Sequence, residues 1–293
     1  MKPRHLLDLD DLDSSELAAV LDLAEQKKPP RALADRSIAL LFEKPSNRTR
    51  VSMETAAIQL GAHPISLRGD ELGIDTREPA DDVARSLSCY CAVIGARVFE
   101  HALVERLAAA ATVPVVNLLS DEAHPCQVLA DLLTLRQRFG RLEGLTVAWV
   151  GDGNNVCRSL MTAAPLAGIT VKVASPPGYE PPAFDLERSG TELTHEPTFA
   201  VEDADAVYTD VWTSMGQEDE AGARRRAFAG FTVDDDLLAV AKPEAVFLHC
   251  LPAHRGEEVT LDVLDGARSL VWQQAENRVH AQRGLLLWLA KQR

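Results

Sequence analysis

The sequence predicts an α/β protein of two domains. Apolar runs of strand length alternate with helical apolar spacing along the chain. The 293 residues exceed what a single core commonly holds. The segment Gly140-Arg141-Leu142-Glu143-Gly144 then separates a first series of strands and helices from a second that restarts at Leu145.

In the first series, Asp13-Ser14-Ser15-Glu16 reads as a helix start, and Leu17, Val20, Leu21 and Ala24 follow as its apolar stripe. Lys27-Lys28-Pro29-Pro30 ends that helix. Ile38-Ala39-Leu40-Leu41-Phe42 is a buried strand, broken by Pro45. A helix follows, with Val51, Ala56, Ala57 and Leu60 near one face. Pro64-Ile65-Ser66-Leu67 is a short apolar run, and residues 68–82, polar and acidic with Gly69 and Gly73, read as a mobile loop. Val83, Leu87 and Tyr90 suggest a helix, and Ala92-Val93-Ile94-Gly95-Ala96 a buried strand ending at Arg97. A helix over 101–111, a strand at Val113-Pro114-Val115-Val116-Asn117 and a helix over 128–139 complete this half.

The second series opens with a strand over 145–150 and the turn Gly151-Asp152-Gly153-Asn154-Asn155. Val156 stands where a dinucleotide fingerprint needs its third glycine, so a generic small-ligand turn is the better reading. Strands are expected at 169–174, 206–209 and 245–248, a helix over 234–240 and one long helix over 272–292. The polar stretch from Asp210 through Glu218-Asp219-Glu220 to Arg224-Arg225-Arg226 reads as a functional loop or a solvated linker. No internal repeat or low-complexity segment is present.

The stretch between the first strand and its helix, Ser46-Asn47-Arg48-Thr49-Arg50, carries the sharpest chemistry. Backbone N–H groups and the dipole at a helix N-terminus favour an anion. Hydroxyls of Ser46 and Thr49 and the guanidinium forks of Arg48 and Arg50 suit phosphate. An ordinary helix cap beside surface arginines is the alternative, and the glycine spacing of a P-loop is missing. Arg97 at a strand end, His124 and Gln127 at a helix entrance, and Cys250 at another strand end are further candidates. No second His stands at metal-ligand spacing from His124, so no metal is expected.

The net charge of −14 argues against non-specific binding to nucleic acid or an anionic membrane. No apolar run is long enough to span a membrane. Five cysteines, an odd number, and a start without a secretory pattern predict free thiols and a cytoplasmic location.

Five separated segments together resemble one family. Ser46-Asn47-Arg48-Thr49-Arg50, His124-Pro125-Cys126-Gln127, Asp210 with Ser214-Met215-Gly216, His249-Cys250-Leu251-Pro252 and Glu276-Asn277-Arg278 are similar to segments of the ornithine carbamoyltransferases. Order and spacing match across nearly the whole chain. The first two segments are shared with aspartate carbamoyltransferases, whereas Ser-Met-Gly and His-Cys-Leu-Pro are more specific to the ornithine enzymes.

The resemblance implies transfer of the carbamoyl group of carbamoyl phosphate to the δ-amine of L-ornithine, giving L-citrulline and phosphate in arginine metabolism. It implies two domains, each a mostly parallel sheet flanked by helices, with the active site in the cleft between them. Residues 1–139 would bind carbamoyl phosphate, joined by the C-terminal helix at about 273–293, and residues 140–272 would bind ornithine. Ser46, Asn47, Arg48, Thr49, Arg97, His124, Gln127, Cys250, Leu251 and Arg278 match carbamoyl phosphate contacts. Asn155, Asp210, Ser214 and Met215 match ornithine contacts. Arg97, His124, Asp210 and Cys250 would be catalytic. A homotrimer without metal or organic cofactor is implied.

Two positions depart from the family pattern: Asn47 stands where Thr is usual, and Glu71 where a Gln-Leu-Gly segment has its Gln. An acid facing phosphate is repulsive unless protonated or paired. A different acceptor amine, a non-catalytic carbamoyl phosphate binder and a nicotinamide dehydrogenase are the competing readings.

Overall fold

The computed structural model describes residues 3–214 and 216–292, and these divide into two compact units. The first unit comprises Met1–Leu133 and Glu276–Arg293, the second Thr134–Ala275. Among the described residues, no helix is long and apolar enough to cross a membrane.

The first unit is built on four parallel strands: β1 (Ser37–Phe42), β2 (His63–Arg68), β3 (Cys91–Arg97) and β4 (Val115–Leu119), in the order β2-β1-β3-β4. Every residue of β3 is buried, as are all but Ser37 of β1, which explains their continuous apolar sequence. The helices are α1 (Ser14–Ala24), α2 (Asn47–Gln59), α3 (Gly69–Leu72), α4 (Ala80–Tyr90), α5 (His101–Ala110) and α6 (Pro125–Phe139). The expected capping box opens α1: Asp13 accepts from the Glu16 N–H at 2.8 Å, and Glu16 accepts from the Asp13 N–H at 3.0 Å.

Three local expectations change. Val51 is exposed, because α2 turns Thr49, Ser52, Met53, Ala56 and Ala57 inward, a stripe that leaves Val51 out. The strand expected at 113–117 lies two residues later as β4, since Pro114 has no N–H for a ladder. Residues 68–82 are not without structure. They contain α3, ended by Gly73 in the left-handed region at φ 61°, and the start of α4. Asp75 fastens this segment, accepting from Arg106 at 2.7 and 2.8 Å. Polar bonds hold it, so apolar spacing does not betray it.

The second unit has five parallel strands: β5 (Thr146–Val150), β6 (Thr170–Ala174), β7 (Glu192–Thr194), β8 (Ala206–Thr209) and β9 (Val246–His249), ordered β7-β6-β5-β8-β9. Around them run α7 (Asn155–Ala167), α8 (Ala183–Ser189), α9 (Pro197–Val201), α10 (Ala221–Ala227), α11 (Asp235–Val240) and α12 (Leu261–Leu264). The last helix, α13 (Val271–Lys291), starts in the second unit and from Glu276 onward belongs to the first. The core packs Trp212, Phe228, Phe231 and Phe247 with Val207, Leu238 and Val263. Fully burying each large apolar side chain contributes about 1.5–3 kcal/mol. Part of the polar stretch after Asp210 is thus helical, and Arg224 within it is buried.

Both sheets share one topological property. In the first, the chain leaves β1 for β2 on one side and returns to β3 on the other; in the second, β5 is followed by β6 on one side and β8 on the other. At such a switch point the connections diverge at the carboxyl ends of adjacent strands, which opens a crevice for a ligand.

Candidate functional site

At the β1/β3 switch point, Phe42 and Arg97 are register partners, and the Arg97 carbonyl accepts from the Glu43 N–H at 2.9 Å. This pairing brings Arg97 beside the segment that opens α2. Ser46 caps that helix, its Oγ accepting from the Thr49 N–H at 3.2 Å. Thr49 is buried, and its Oγ1 accepts from Arg278 Nη2 at 3.1 Å and from Arg97 Nη1 at 3.5 Å. Arg278 Nη1 also donates to Gln127 Oε1, and Gln127 Nε2 donates to Asp131 Oδ1 at 2.8 Å. Thr49, Arg97, His124, Gln127 and Arg278 are therefore one buried cluster drawn from four distant stretches of sequence.

The field in this cluster is positive. Burial pushes the His124 imidazole well below its ordinary 6.5, and Arg278, Arg97 and Arg48 add to the shift in that order. His124 is thus neutral near neutral pH and can donate one N–H without adding charge. Lys44, half-buried, is lowered first by burial and then by Arg97; its Nζ lies 4.5 Å from the centre of the Phe99 ring. Asn47 and Arg48 are exposed in the first turn of α2. Arg50, by contrast, is turned to Glu54 at 3.0 Å. Cys126 lies within the His124-Pro125-Cys126-Gln127 segment but is wholly buried, and burial pushes its thiol up to about 12, so it packs rather than reacts.

At the β5/β8 switch point a second cluster forms. Thr209 and His249 are register partners, so Asp210 and Cys250 emerge side by side at adjacent strand ends. Cys250 Sγ donates to Asp210 Oδ1 at 2.9 Å. The same oxygen accepts from the Val211 N–H at 2.9 Å, and Asp210 Oδ2 accepts from Asn154 Nδ2 at 2.8 Å. Asn154 also caps α7, its Oδ1 accepting from the N–H groups of Val156 and Cys157 at 3.0 and 3.1 Å. Gly153 admits the close approach that this turn needs: a Cβ there would stand 2.2 Å from the Pro181 nitrogen.

Beside the cluster, buried Arg224 donates from Nη1 to Asp152 Oδ2 and to the Trp212 carbonyl, both at 3.0 Å. Burial raises the Asp152 carboxyl to about 6 despite the opposing pull of Arg224. Arg224 so fixes the root of the segment that leads to Ser214, whose N–H donates to Gln217 Oε1 at 3.1 Å. Met215 lies outside the described residues.

The structure therefore gathers Ser46, Thr49, Arg97, His124, Gln127 and Arg278 in the first unit, with Asn47 and Arg48 at the edge. Asp210 and Cys250 meet in the second, where Asn155 opens α7 and Leu251 follows Cys250. Sequence reasoning passed over Asn154, Lys44 and Arg224. The readable signal for Asn154 was its position as a capping residue directly after Gly151-Asp152-Gly153; Arg224 was hidden in a run of three arginines.

Among the described residues, two groups bring potential metal-ligand atoms together, Asp210 with His249 and Cys250, and His254 with Glu257 and Glu258, the atoms within each group lying within 4.8 Å of one another. In the first, both His249 nitrogens already have partners, Leu251 and Glu258. The surrounding donors suit an amine or a carboxylate as well as a cation, and no metal is assigned.

The sequence matches the carbamoyl-P binding domain of aspartate/ornithine carbamoyltransferase over residues 4–137 and the Asp/Orn binding domain over residues 143–289. An ornithine carbamoyltransferase of Acidothermus cellulolyticus is 54% identical over 302 residues, covering 98% of this chain and 96% of that protein. An ornithine carbamoyltransferase of Pyrococcus furiosus designated anabolic is 50% identical over 299 residues, covering 97% and 95%. The crystal structure of the Thermus thermophilus ornithine carbamoyltransferase superposes with a TM-score of 0.92 at 51% identity, covering 99% of each chain.

Proposed function

The chain belongs to the aspartate/ornithine carbamoyltransferase family, and from that premise we propose that it is a transferase carrying the carbamoyl group of carbamoyl phosphate to the δ-amine of L-ornithine. The products are L-citrulline and phosphate. Chain-long identity of about half to named ornithine carbamoyltransferases supports this reading. The observation that carries it is the chemistry at the two switch points: cationic in the first unit, and carboxylate, thiol and amide in the second.

In this reading the α2 entrance holds the phosphate through Ser46, Asn47, Arg48 and Thr49, with Arg278 beside Thr49. The δ-amine attacks the carbonyl carbon, an oxyanion develops, and phosphate departs. Thr49, Arg97 and the neutral His124 donate to the carbamoyl oxygen as its charge grows. Gln127 orients Arg278 and contacts the carbamoyl group. Cys250 and Leu251 complete the donor contacts from the second unit's strand end.

The incoming amine, with a pKa of about 10.4 by analogy with lysine, arrives protonated. Asp210 holds it and helps remove its proton, while Cys250 keeps the Asp210 carboxylate aimed and forms no covalent bond. Asn155, Ser214 and Met215 bind the remainder of ornithine. Carbamoyl phosphate is a mixed anhydride already activated for transfer, so positioning and charge stabilisation suffice without a metal or organic cofactor.

The same proposal assigns residues 1–139 and the C-terminal helix to the carbamoyl phosphate-binding domain and residues 140–272 to the ornithine-binding domain. It includes a homotrimer, supported by exposed Val51 and Ile58, two helical turns apart on α2, and exposed Ile65 on β2. It includes a cytoplasmic setting, supported by five free cysteines. The biosynthetic direction follows the anabolic designation of the Pyrococcus furiosus relative.

The test is a panel of acceptors: ornithine, lysine, putrescine and an Nα-acylated ornithine, each with carbamoyl phosphate. Citrulline from unmodified ornithine, well ahead of the others, is expected; preference for another amine would reassign the substrate.

A further inference from the structure

A buried pair in the second unit has no part in the mechanism above. His249 ends β9, is 1% exposed, and is bonded at both ring nitrogens. Nδ1 accepts from the Leu251 N–H at 2.9 Å. A nitrogen that accepts carries no proton, so the ring hydrogen sits on Nε2, which faces Glu258 Oε1 at 3.2 Å and donates to it. Glu258 is fully buried, and Oε1 also accepts from the His254 N–H. Its Oε2 has no hydrogen-bond partner among the described residues. A buried carboxylate with an unsatisfied oxygen opposes folding. Its evident return is to fix one tautomer of His249.

That tautomer matters because of what Nδ1 holds. Leu251 is a non-glycine residue in the left-handed region, with φ 60°. L side chains adopt this conformation only where their surroundings impose it. The His249 ring closes over Cys250 onto the Leu251 N–H, and Cys250 Sγ meets Asp210 Oδ1 at 2.9 Å. We propose that Glu258 and His249 are positioning residues for the amine acceptor: Glu258 fixes His249 with its proton on Nε2, Nδ1 clamps the left-handed turn at Leu251, and that turn aims the Cys250 thiol at the Asp210 carboxylate. The role rests on the carbamoyl transfer proposed above.

The test separates this clamp from simple packing. In His249→Asn the amide oxygen can replace Nδ1 as acceptor, while contact with Glu258 is lost. In His249→Gln the amide reaches the Nε2 position, while the acceptor for Leu251 is lost. The purified full chain is assayed for citrulline, with KM measured for each substrate and Tm by calorimetry. His249→Gln should raise the ornithine KM about tenfold, the scale of one lost buried hydrogen bond, and should also raise the carbamoyl phosphate KM to a smaller extent, because the Leu251 turn belongs to the donor contacts as well. His249→Asn should stay near wild type in ornithine KM even where its Tm is lower.

Equal ornithine KM values in the two variants, or KM values that follow Tm, would overturn the clamp. If either His249 variant does not fold, Glu258→Gln and Glu258→Leu replace them. The former keeps an acceptor for Nε2–H and should retain the ornithine KM; the latter should not, and equal values again overturn the proposal. Wild-type protein forming no citrulline would instead refute the proposed reaction, which keeps the two failures distinct.

Discussion

Cys250 Sγ donates to Asp210 Oδ1 at 2.9 Å, across adjacent strand ends joined by the Thr209–His249 register. The thiol is thereby a partner of the carboxylate. Cys250→Ser, which keeps a hydroxyl donor, should lose only part of kcat/KM for ornithine. Asp210→Asn should lose about 10²- to 10⁴-fold, the usual span for a positioned proton acceptor. Intact-protein mass spectra taken during turnover should show no added mass on Cys250; a carbamoyl adduct there would replace this mechanism with a covalent one.

Asn154 joins stability to recognition, because one amide both caps α7 and anchors Asp210. Asn154→Ala should lower stability by about 0.5–2 kcal/mol through the lost cap and should raise the ornithine KM. Asn154→Ser keeps a cap acceptor but has no amide to reach Asp210. Denaturant melts should therefore show recovery of stability in Asn154→Ser without recovery of the ornithine KM.

Arg278 reaches Thr49 and Gln127 through two different Nη atoms. Lysine has the charge but not the fork. Arg278→Lys should raise the carbamoyl phosphate KM about ten- to a hundredfold, the scale of charged hydrogen bonds, with a smaller effect on the ornithine KM. Initial rates with each substrate varied in turn would check this; a larger effect on ornithine would count against it.

His124 gives the pH behaviour its sign. Its pKa in the folded chain lies well below 6.5, so at pH 7 it is neutral in both folded and unfolded states. As pH falls below about 6.5 the unfolded chain takes up a proton that the folded chain refuses, and stability is lost progressively down to the folded pKa. His124→Gln should flatten this decline between about pH 6.5 and 5, measured by urea unfolding at each pH. The acid limb of kcat should likewise carry no ionisation of His124 near 6.5.

Asp13 and Glu16 announced the capping box of α1, and the unbroken apolar runs of β1 and β3 announced buried strands, because these signals are local. The candidate site was legible where a motif kept its members close, as in Ser46 to Thr49. Arg278 and Asp210 stood in motifs of their own, but the partners that distant segments supply to them were not legible. The bonds from Arg278 to Thr49 and from Asn154 to Asp210 span 229 and 56 residues, and no spacing rule reaches that far. Val51 illustrates a subtler limit: the apolar face of α2 includes Thr49 and Ser52, buried for their contacts rather than their hydropathy, which shifts the stripe away from Val51. The clamp at Leu251 was invisible for another reason, since a left-handed leucine has no sequence signature.

In the proposed reaction, the cationic cluster around Thr49 and the Asp210–Cys250 pair serve a single transfer. Its most direct measurement is the purified protein mixed with carbamoyl phosphate and L-ornithine, with citrulline and phosphate counted in one sample. Equal amounts of both products are expected, formed only when both substrates are present, and each variant, Arg278→Lys or Asp210→Asn, should lower citrulline and phosphate together. Phosphate released at the same rate without ornithine, with no citrulline formed, would contradict it.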